Sequence, residues 1–310
     1  MRVFVTGGTG LVGSRLVERL LGRGDQVVVL SRRPDAVRQK WGDRVSLVAG
    51  DPAQRGDWTE AVRACDAVVH LAGEGIFNRR WSAAFKEAIR TSRVQSTENV
   101  VEALLAQRRT PEGHPKVLVN ASAIGYYGPR GDEELTEEAA PGDDFLAQVC
   151  VEWEKAARAA AGHDIRVVIL RIGVVLDKAG GALQKMLPPF KMFIGGPIGS
   201  GRQYLSWVHV EDLVGLILFA LDRHDAEGVY NATAPQPVTN KEFSRALGHV
   251  LHRPSFLPTP GFVLRVMLGE VAGLITEGQR VVPQHALAQG YTFQYPDVSV
   301  ALRDLLGQYK

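Results

Sequence analysis

The stretch MRVFVTGGTGLVGSRLVERLLGRGDQVVVLSRR, residues 1–33, decides the fold. The run Val3, Phe4, Val5 leads into Gly7, Gly8, Gly10 and Gly13, and apolar residues then recur at helical spacing through Leu16, Val17, Leu20 and Leu21. That is a strand, a tight turn and a helix; Gly22 and Gly24 stop the helix, and Val27 to Leu30 supply a second parallel strand. The glycines fit GxGxxG from Gly8 or GxxGxxG from Gly7. Either arrangement lets the backbone N–H groups of Gly10, Leu11, Val12 and Gly13, at a helix N-terminus, approach a pyrophosphate with no Cβ in the way. Between a strand and a helix, the pattern predicts a dinucleotide site.

The residues after the second strand choose between cofactors. A site for NAD places Asp or Glu about 20 residues beyond the glycines, where it bonds the ribose 2′-hydroxyl. This chain has Ser31, Arg32 and Arg33 there. A guanidinium matches a 2′-phosphate, which a carboxylate would repel, so the expected cofactor is NADP(H).

With 310 residues, 45% hydrophobic and 23% charged, the chain is long enough for one large core or a core with a smaller lobe, and its composition excludes disorder. The net charge of +2 and the interspersed signs offer no nucleic-acid or membrane surface. Cys65 and Cys150 have no metal or redox spacing, and the His249 and His252 pair lacks further ligands, so no metal is expected. A chain that enters a strand at once, with no signal peptide, points to the cytoplasm. Its longest apolar run, Val214 to Leu221, is too short to cross a bilayer.

Further apolar runs extend the alternation. Val45 to Ala49 ends at Asp51, which could accept from the adenine amino group or cap the next helix. Ala67 to Leu71 ends in Ala72 and Gly73, small residues that let the backbone lie against a dinucleotide. The loop from Glu74 through Arg80 and Trp81 stands at the carboxyl edge of the sheet, where substrate contacts are sought, before one long helix from about Ser82 to Gln107. Val117 to Ser122 opens into Tyr126 and Tyr127, which point to opposite faces if extended, so at most one reaches the cofactor. A helix from about Asp143 to Ala161 and a strand from Ile165 to Leu176 follow. Gly180 and Gly181 open a helix ending at Pro188 and Pro189. The loop Gly195 to Gly201 reads as a turn or as an anion nest of backbone N–H groups. In the strand YLSWVHV, Trp207 and His209 share a face that is either buried or turned to substrate. Thr239 and Glu242 form a capping box. The fold class is therefore α/β, a doubly wound parallel sheet with a smaller C-terminal lobe. Residues 1–178 form the nucleotide-binding part, to which 204–233 return, and 179–203 with 234–310 form the substrate side.

TGGTGLVG, the HLAG after the fourth strand, ASAIGYYG, the helix with Lys155, LRIGVVL and SWVHVEDLV together resemble the extended, epimerase-like short-chain dehydrogenase/reductase superfamily. GEGIFNRRW, VEWEKAA, GGPIGSGRQYLSWVHVEDL and EGQRVVPQ are similar to its "epimerase family protein" group, atypical members with an extra C-terminal segment. The resemblance implies a Rossmann fold, a nicotinamide dinucleotide and a homodimer through the two long helices. It implies that Ser122 bonds the substrate oxygen and that Lys155 holds the nicotinamide ribose. The superfamily's Tyr-x-x-x-Lys proton donor is missing, because Val151 stands four residues before Lys155. Three readings follow: Tyr126, Tyr127 or Ser122 takes over the proton transfer; groups of this subgroup do so, from Glu74, Arg80, Trp81, Gln203, Trp207 and His209; or the protein binds NADP(H) without turnover, as a sensor or scaffold. The substrate is an unidentified carbonyl or hydroxyl compound, handled by a reductase or epimerase.

Overall fold

A computed structural model describes residues 1–110 and 113–307. In chain order the first half runs β1 Arg2–Thr6, α1 Leu11–Gly22, β2 Gln26–Ser31, α2 Pro34–Trp41, β3 Ser46–Ala49, α3 Trp58–Arg63, β4 Ala67–His70, α4 Ala83–Thr91, α5 Val94–Ala106 and β5 Lys116–Ala123. It continues through β6 Glu134–Leu135, α6 Phe145–Arg158, β7 Ile165–Ile172, β8 Val174–Asp177, α7 Gly181–Lys191, β9 Tyr204–Leu205, β10 Trp207–His209, α8 Val210–Asp222 and β11 Gly228–Ala232. The remainder is β12 Val238–Thr239, α9 Asn240–Leu251, α10 Gly261–Leu268, α11 Gly273–Thr276, β13 Arg280–Val281, α12 Gln284–Ala288 and α13 Val298–Leu306.

Seven strands form one parallel sheet in the order β11-β7-β5-β4-β1-β2-β3. Alternate side chains supply two cores, because successive residues of a strand face opposite ways. Val3, Val5, Val27, Val29, Val119 and Leu170 pack against α1 and α8, whereas Phe4, Val28, Leu30, Val68, Leu118 and Ile169 pack against α3, α5 and α6. Both faces being covered, the strands read as continuous apolar runs. The order reverses between β1 and β4, the switch point at whose carboxyl edge sheets of this kind form a ligand crevice.

Several boundaries differ from the sequence reading. The expected helix over 82–107 is two helices: Ser92 Oγ accepts from Glu74 N at 3.0 Å and donates to Ile89 O at 2.9 Å, turning the break into an anchor for the loop before it. The strand expected over 165–176 splits at Gly173, whose N–H reaches Ala232 O in the main sheet, while Val174 N turns to Ser206 O at 2.8 Å. From there β8 pairs with β10. YLSWVHV is likewise two short strands divided at Ser206. Helix α7 runs through Pro188 and Pro189 to Lys191, their carbonyls accepting from Met192 N and Ile194 N. The capping box of Thr239 and Glu242 is present at α9. A third core joins α7, α9 and α13 around Trp207, Phe243 and Leu302.

Candidate functional site

The crevice floor is the turn after β1. Gly7 has φ +67°, and a Cβ there would stand 2.8 Å from the Leu71 backbone; a Cβ on Gly13 would stand 2.2 Å from Gly7 O. The two glycines thus let the turn, the end of β4 and the first turn of α1 close on one another. No side chain caps α1, whose N-cap is Gly10, so the N–H groups of Leu11, Val12 and Gly13 remain for an anion. Thr6 Oγ1 pins the opposite wall, accepting from Leu71 N and Ala72 N, both at 3.2 Å. With those two N–H groups on its oxygen, the hydroxyl turns its proton to His70 Nδ1 at 2.6 Å; His70 Nε2–H then donates to Ser96 Oγ at 3.0 Å, and Ser96 donates to Ser92 O. Burial holds the His70 imidazole down to about 4, neutral as this relay requires. Gly73, beyond Ala72, is exposed to the crevice.

At the end of β2, Ser31 Oγ accepts from Arg33 N at 3.0 Å, and the Arg32 and Arg33 side chains stand exposed. Arg32 lies 3.8 Å from the Asp51 carboxylate. The other Asp51 oxygen accepts from Ala53 N, so Asp51 braces its own turn and the Arg32 guanidinium together.

Helical phase corrects the expectation for α6. Lys155 lies on the exposed face and Val151 is 38% exposed, and neither bonds Ser122. The pair four residues apart that turns inward is Cys150 and Glu154. Ser122 Oγ donates to Glu154 Oε1 at 2.9 Å, and the Glu154 carboxylate, 0% exposed, also receives Arg171 and Arg158. Burial opposes the Arg171 charge, but the bonds to Glu154 win and raise its pKa. Cys150 Sγ lies 3.8 Å from Ala123 O, and burial pushes its thiol up to about 12.

The two tyrosines part company. Tyr127 is fully buried; its hydroxyl donates to Asn231 Oδ1 at 2.7 Å and accepts from Arg171 Nη1 at 2.9 Å, and burial pushes its pKa up to about 12. It is a structural strut, which corrects its place among the proton donors. Tyr126 is half-buried, with the Arg171 guanidinium 3.4 Å from its ring centroid and, among the described residues, no hydrogen bond at its hydroxyl.

The substrate-side expectations divide the same way. Trp207 is fully buried in the third core and donates to Gln236 O. His209 is buried against Tyr295, with its Nδ1 accepting from Glu211 N at the start of α8. Gln203 Nε2 donates to Ile198 O and Ile275 O. These three hold the lobe together and do not line the crevice. The loop Gly195 to Gly201 is no anion nest: Ile198 N donates to Asn240 Oδ1 and Gly199 N to Thr259 O. Glu74 accepts from Asn78 Nδ2, Trp81 Nε1 donates to Ile76 O, and the exposed Arg80 reaches Val266 O, so the loop 74–81 is tied to itself and to α10. Glu154, Arg171 and Asn231 escaped the sequence reading. The signal was there: Glu154 sits on the stripe of Cys150, Trp153 and Ala157, and Arg171 interrupts an apolar strand.

The family model described as NAD dependent epimerase/dehydratase family matches residues 3–233, and a domain of unknown function, DUF1731, matches residues 259–305. An Arabidopsis thaliana protein named epimerase family protein SDR39U1 homolog, chloroplastic, is 45% identical over 99% of this chain and 87% of its own length. The Bacillus subtilis epimerase family protein YfhF is 38% identical over 100% of this chain and 99% of its own. A crystal structure of human epimerase family protein SDR39U1 (isoform 2) with NADPH superposes with a TM-score of 0.87 at 36% identity, covering 99% of this chain and all of that one. Among the described residues no helix is long and apolar enough to cross a membrane. The crevice at the strand reversal, the glycine turn that floors it and these matches agree: the chain belongs to the NAD dependent epimerase/dehydratase family.

Proposed function

We propose that this protein binds NADP(H) in the crevice between β1 and β4 and reduces or epimerises a carbonyl or hydroxyl compound. The observation that carries the reading is the uncapped N-terminus of α1 behind two glycines that leave no room for a Cβ, with Arg32 and Arg33 exposed beyond β2. The human relative crystallised with NADPH supports it. The N–H groups of Leu11, Val12 and Gly13 hold the pyrophosphate, Leu71, Ala72 and Gly73 form the opposite wall, and Arg32 and Arg33 take the 2′-phosphate. When bound, NADP(H) supplies or accepts a hydride at the nicotinamide. Proton transfer falls to Tyr126, whose hydroxyl is uncommitted and whose ring lies against a guanidinium that stabilises negative charge. Ser122, its proton held by Glu154, presents its lone pairs and orients substrate.

One observation favours a second reading, binding without turnover. The inward-facing pair on α6 is a thiol that burial keeps protonated and a carboxylate occupied by two arginines and Ser122, so neither stands in for the missing tyrosine hydroxyl. NADPH oxidation, followed by absorbance across a panel of aldehydes, ketones and sugar nucleotides, separates the two. Turnover that Tyr126→Phe cuts at least a hundredfold supports the enzyme reading; NADPH bound tightly and left unoxidised by every compound supports the sensor.

A further inference from the structure

Arg93 introduces α5 at the break in the helical run. Its guanidinium carbon lies 3.4 Å from where a Cβ on Gly73 would stand, at the crevice end of β4, and 5.3 Å from the Trp153 ring centroid. Of its five N–H donors, only those on Nη1 find a partner, Ile89 O at 3.2 Å and Ser92 Oγ at 3.4 Å. No carboxylate pairs with it among the described residues. Glu74, the nearest acid, gives its carboxylate to Asn78. Arg166, equally half-buried, is satisfied by the carbonyls of Ala220, Leu221 and Ala226, and the buried Arg171 by Glu154. Burial accordingly weighs on Arg93, lowering its pKa with only weak help from Cys150 and Glu74.

A half-buried guanidinium that keeps N–H groups free and has no counter-charge is a ready receptor for an anion, and an anion supplied by a ligand offsets the cost of its partial burial. We infer that Arg93 receives a negatively charged oxygen of the substrate, which makes that substrate a carboxylate- or phosphate-bearing carbonyl or hydroxyl compound. The inference rests on the reading of the crevice as the NADP(H) site. Gly73 borders the reacting end on that reading, and Arg93 reaches it from the side of Cys150 and Ser122. Arg171, against Tyr126, is already taken up by Glu154, whereas Arg93 has no carboxylate among the described residues. Its planar fork suits a carboxylate or phosphate.

The test uses the whole protein loaded with NADPH, titrated by calorimetry with oxalate, inorganic phosphate and neutral acetone, in the wild type, Arg93→Gln and Arg93→Lys. The NADPH dissociation constant of each is measured first, by cofactor fluorescence. The expected result is an NADPH affinity within threefold in all three proteins, saturable binding of oxalate or phosphate but not acetone by the wild type, at least tenfold weaker binding in Arg93→Gln, and an intermediate loss in Arg93→Lys. Which of the two anions binds more tightly distinguishes carboxylate from phosphate. The inference is overturned if wild type binds neither anion, or if Arg93→Gln binds them as well as wild type. It is also overturned if Arg93→Gln loses NADPH itself, since the guanidinium would then serve the cofactor. A wild type that does not bind NADPH removes the nucleotide reading, and the inference falls with it.

Discussion

Arg171 closes on Glu154 through two parallel hydrogen bonds, Nε to Oε1 at 2.8 Å and Nη2 to Oε2 at 2.9 Å, with the side chains 2% and 0% exposed. Removing Glu154 leaves the Arg171 charge buried with no carboxylate against it among the described residues, whereas Glu154 would keep Arg158 if Arg171 were lost. Glu154→Ala should therefore cost about 3–5 kcal/mol of stability, far above a typical surface substitution. Urea unfolding checks this; a loss below about 1 kcal/mol would show that the pair is not what holds Ser122 and the base of β7 in place.

Cofactor choice follows from Arg32 and Arg33. NADPH should bind about tenfold to a hundredfold more tightly than NADH, the worth of one or two charge-assisted hydrogen bonds. The double variant Arg32→Ala, Arg33→Ala should bring the two constants together by weakening NADPH alone. Fluorescence titrations of both cofactors decide it, and equal constants in the wild type would remove the 2′-phosphate assignment.

Two glycines of one helix should respond oppositely to alanine. At Gly13 a Cβ meets Gly7 O at 2.2 Å, whereas at Gly22 nothing lies within 4 Å. Gly13→Ala should abolish cofactor binding by forcing α1 away from the turn. Gly22→Ala should leave binding intact and stabilise the protein by up to about 1 kcal/mol through helix propensity and a less free unfolded chain. Thermal unfolding with and without NADPH measures both.

His70 makes stability depend on pH. Its folded pKa of about 4 lies below the ordinary value of 6.5, so the unfolded chain binds the proton more readily. The contribution is complete above pH 6.5 and is lost as the pH falls from there toward 4, amounting to about 2 kcal/mol at pH 5. Urea unfolding at pH 7.5 and 5 should show this drop in the wild type and a smaller one in His70→Leu. Equal drops in the two proteins would place the acid sensitivity elsewhere.

The strand, turn and helix at the start were legible because glycine spacing and apolar periodicity reflect backbone geometry directly. The chemistry on α6 was not, because matching Lys155 to a motif by sequence ignores which way the residue faces. One residue along a helix is 100° of rotation, enough to carry Lys155 into solvent and bring Glu154 onto Ser122. Tyr126 and Tyr127 lie in one 3-10 turn rather than an extended segment and both rings meet Arg171, so which hydroxyl was committed depended on Asn231, over a hundred residues later. Trp207 and His209 carried both a packing and a site reading, and only the third core, assembled from α7, α9 and α13, decided between them. Arg93 has no local signature, since an arginine lacking a carboxylate looks in sequence like any other.

Residues 279–295, whose strand β13 pairs only with β6 in a sheet of its own, reach back onto the central fold through side chains. Ser206 bonds Gln279 O and Val281 N, Thr233 bonds Val281 O, Asn231 bonds Val282 O, and Asp212 accepts from Gln294 N and Tyr295 N. Every one of those partners leaves the ribosome after the seventh strand does. Ser206, Asn231, Thr233 and Asp212 are buried in the folded chain, so a chain lacking residues 279–295 would leave polar groups beneath β11 and along α8 short of partners. The late segment is a clasp that ties the edge of the sheet to α8.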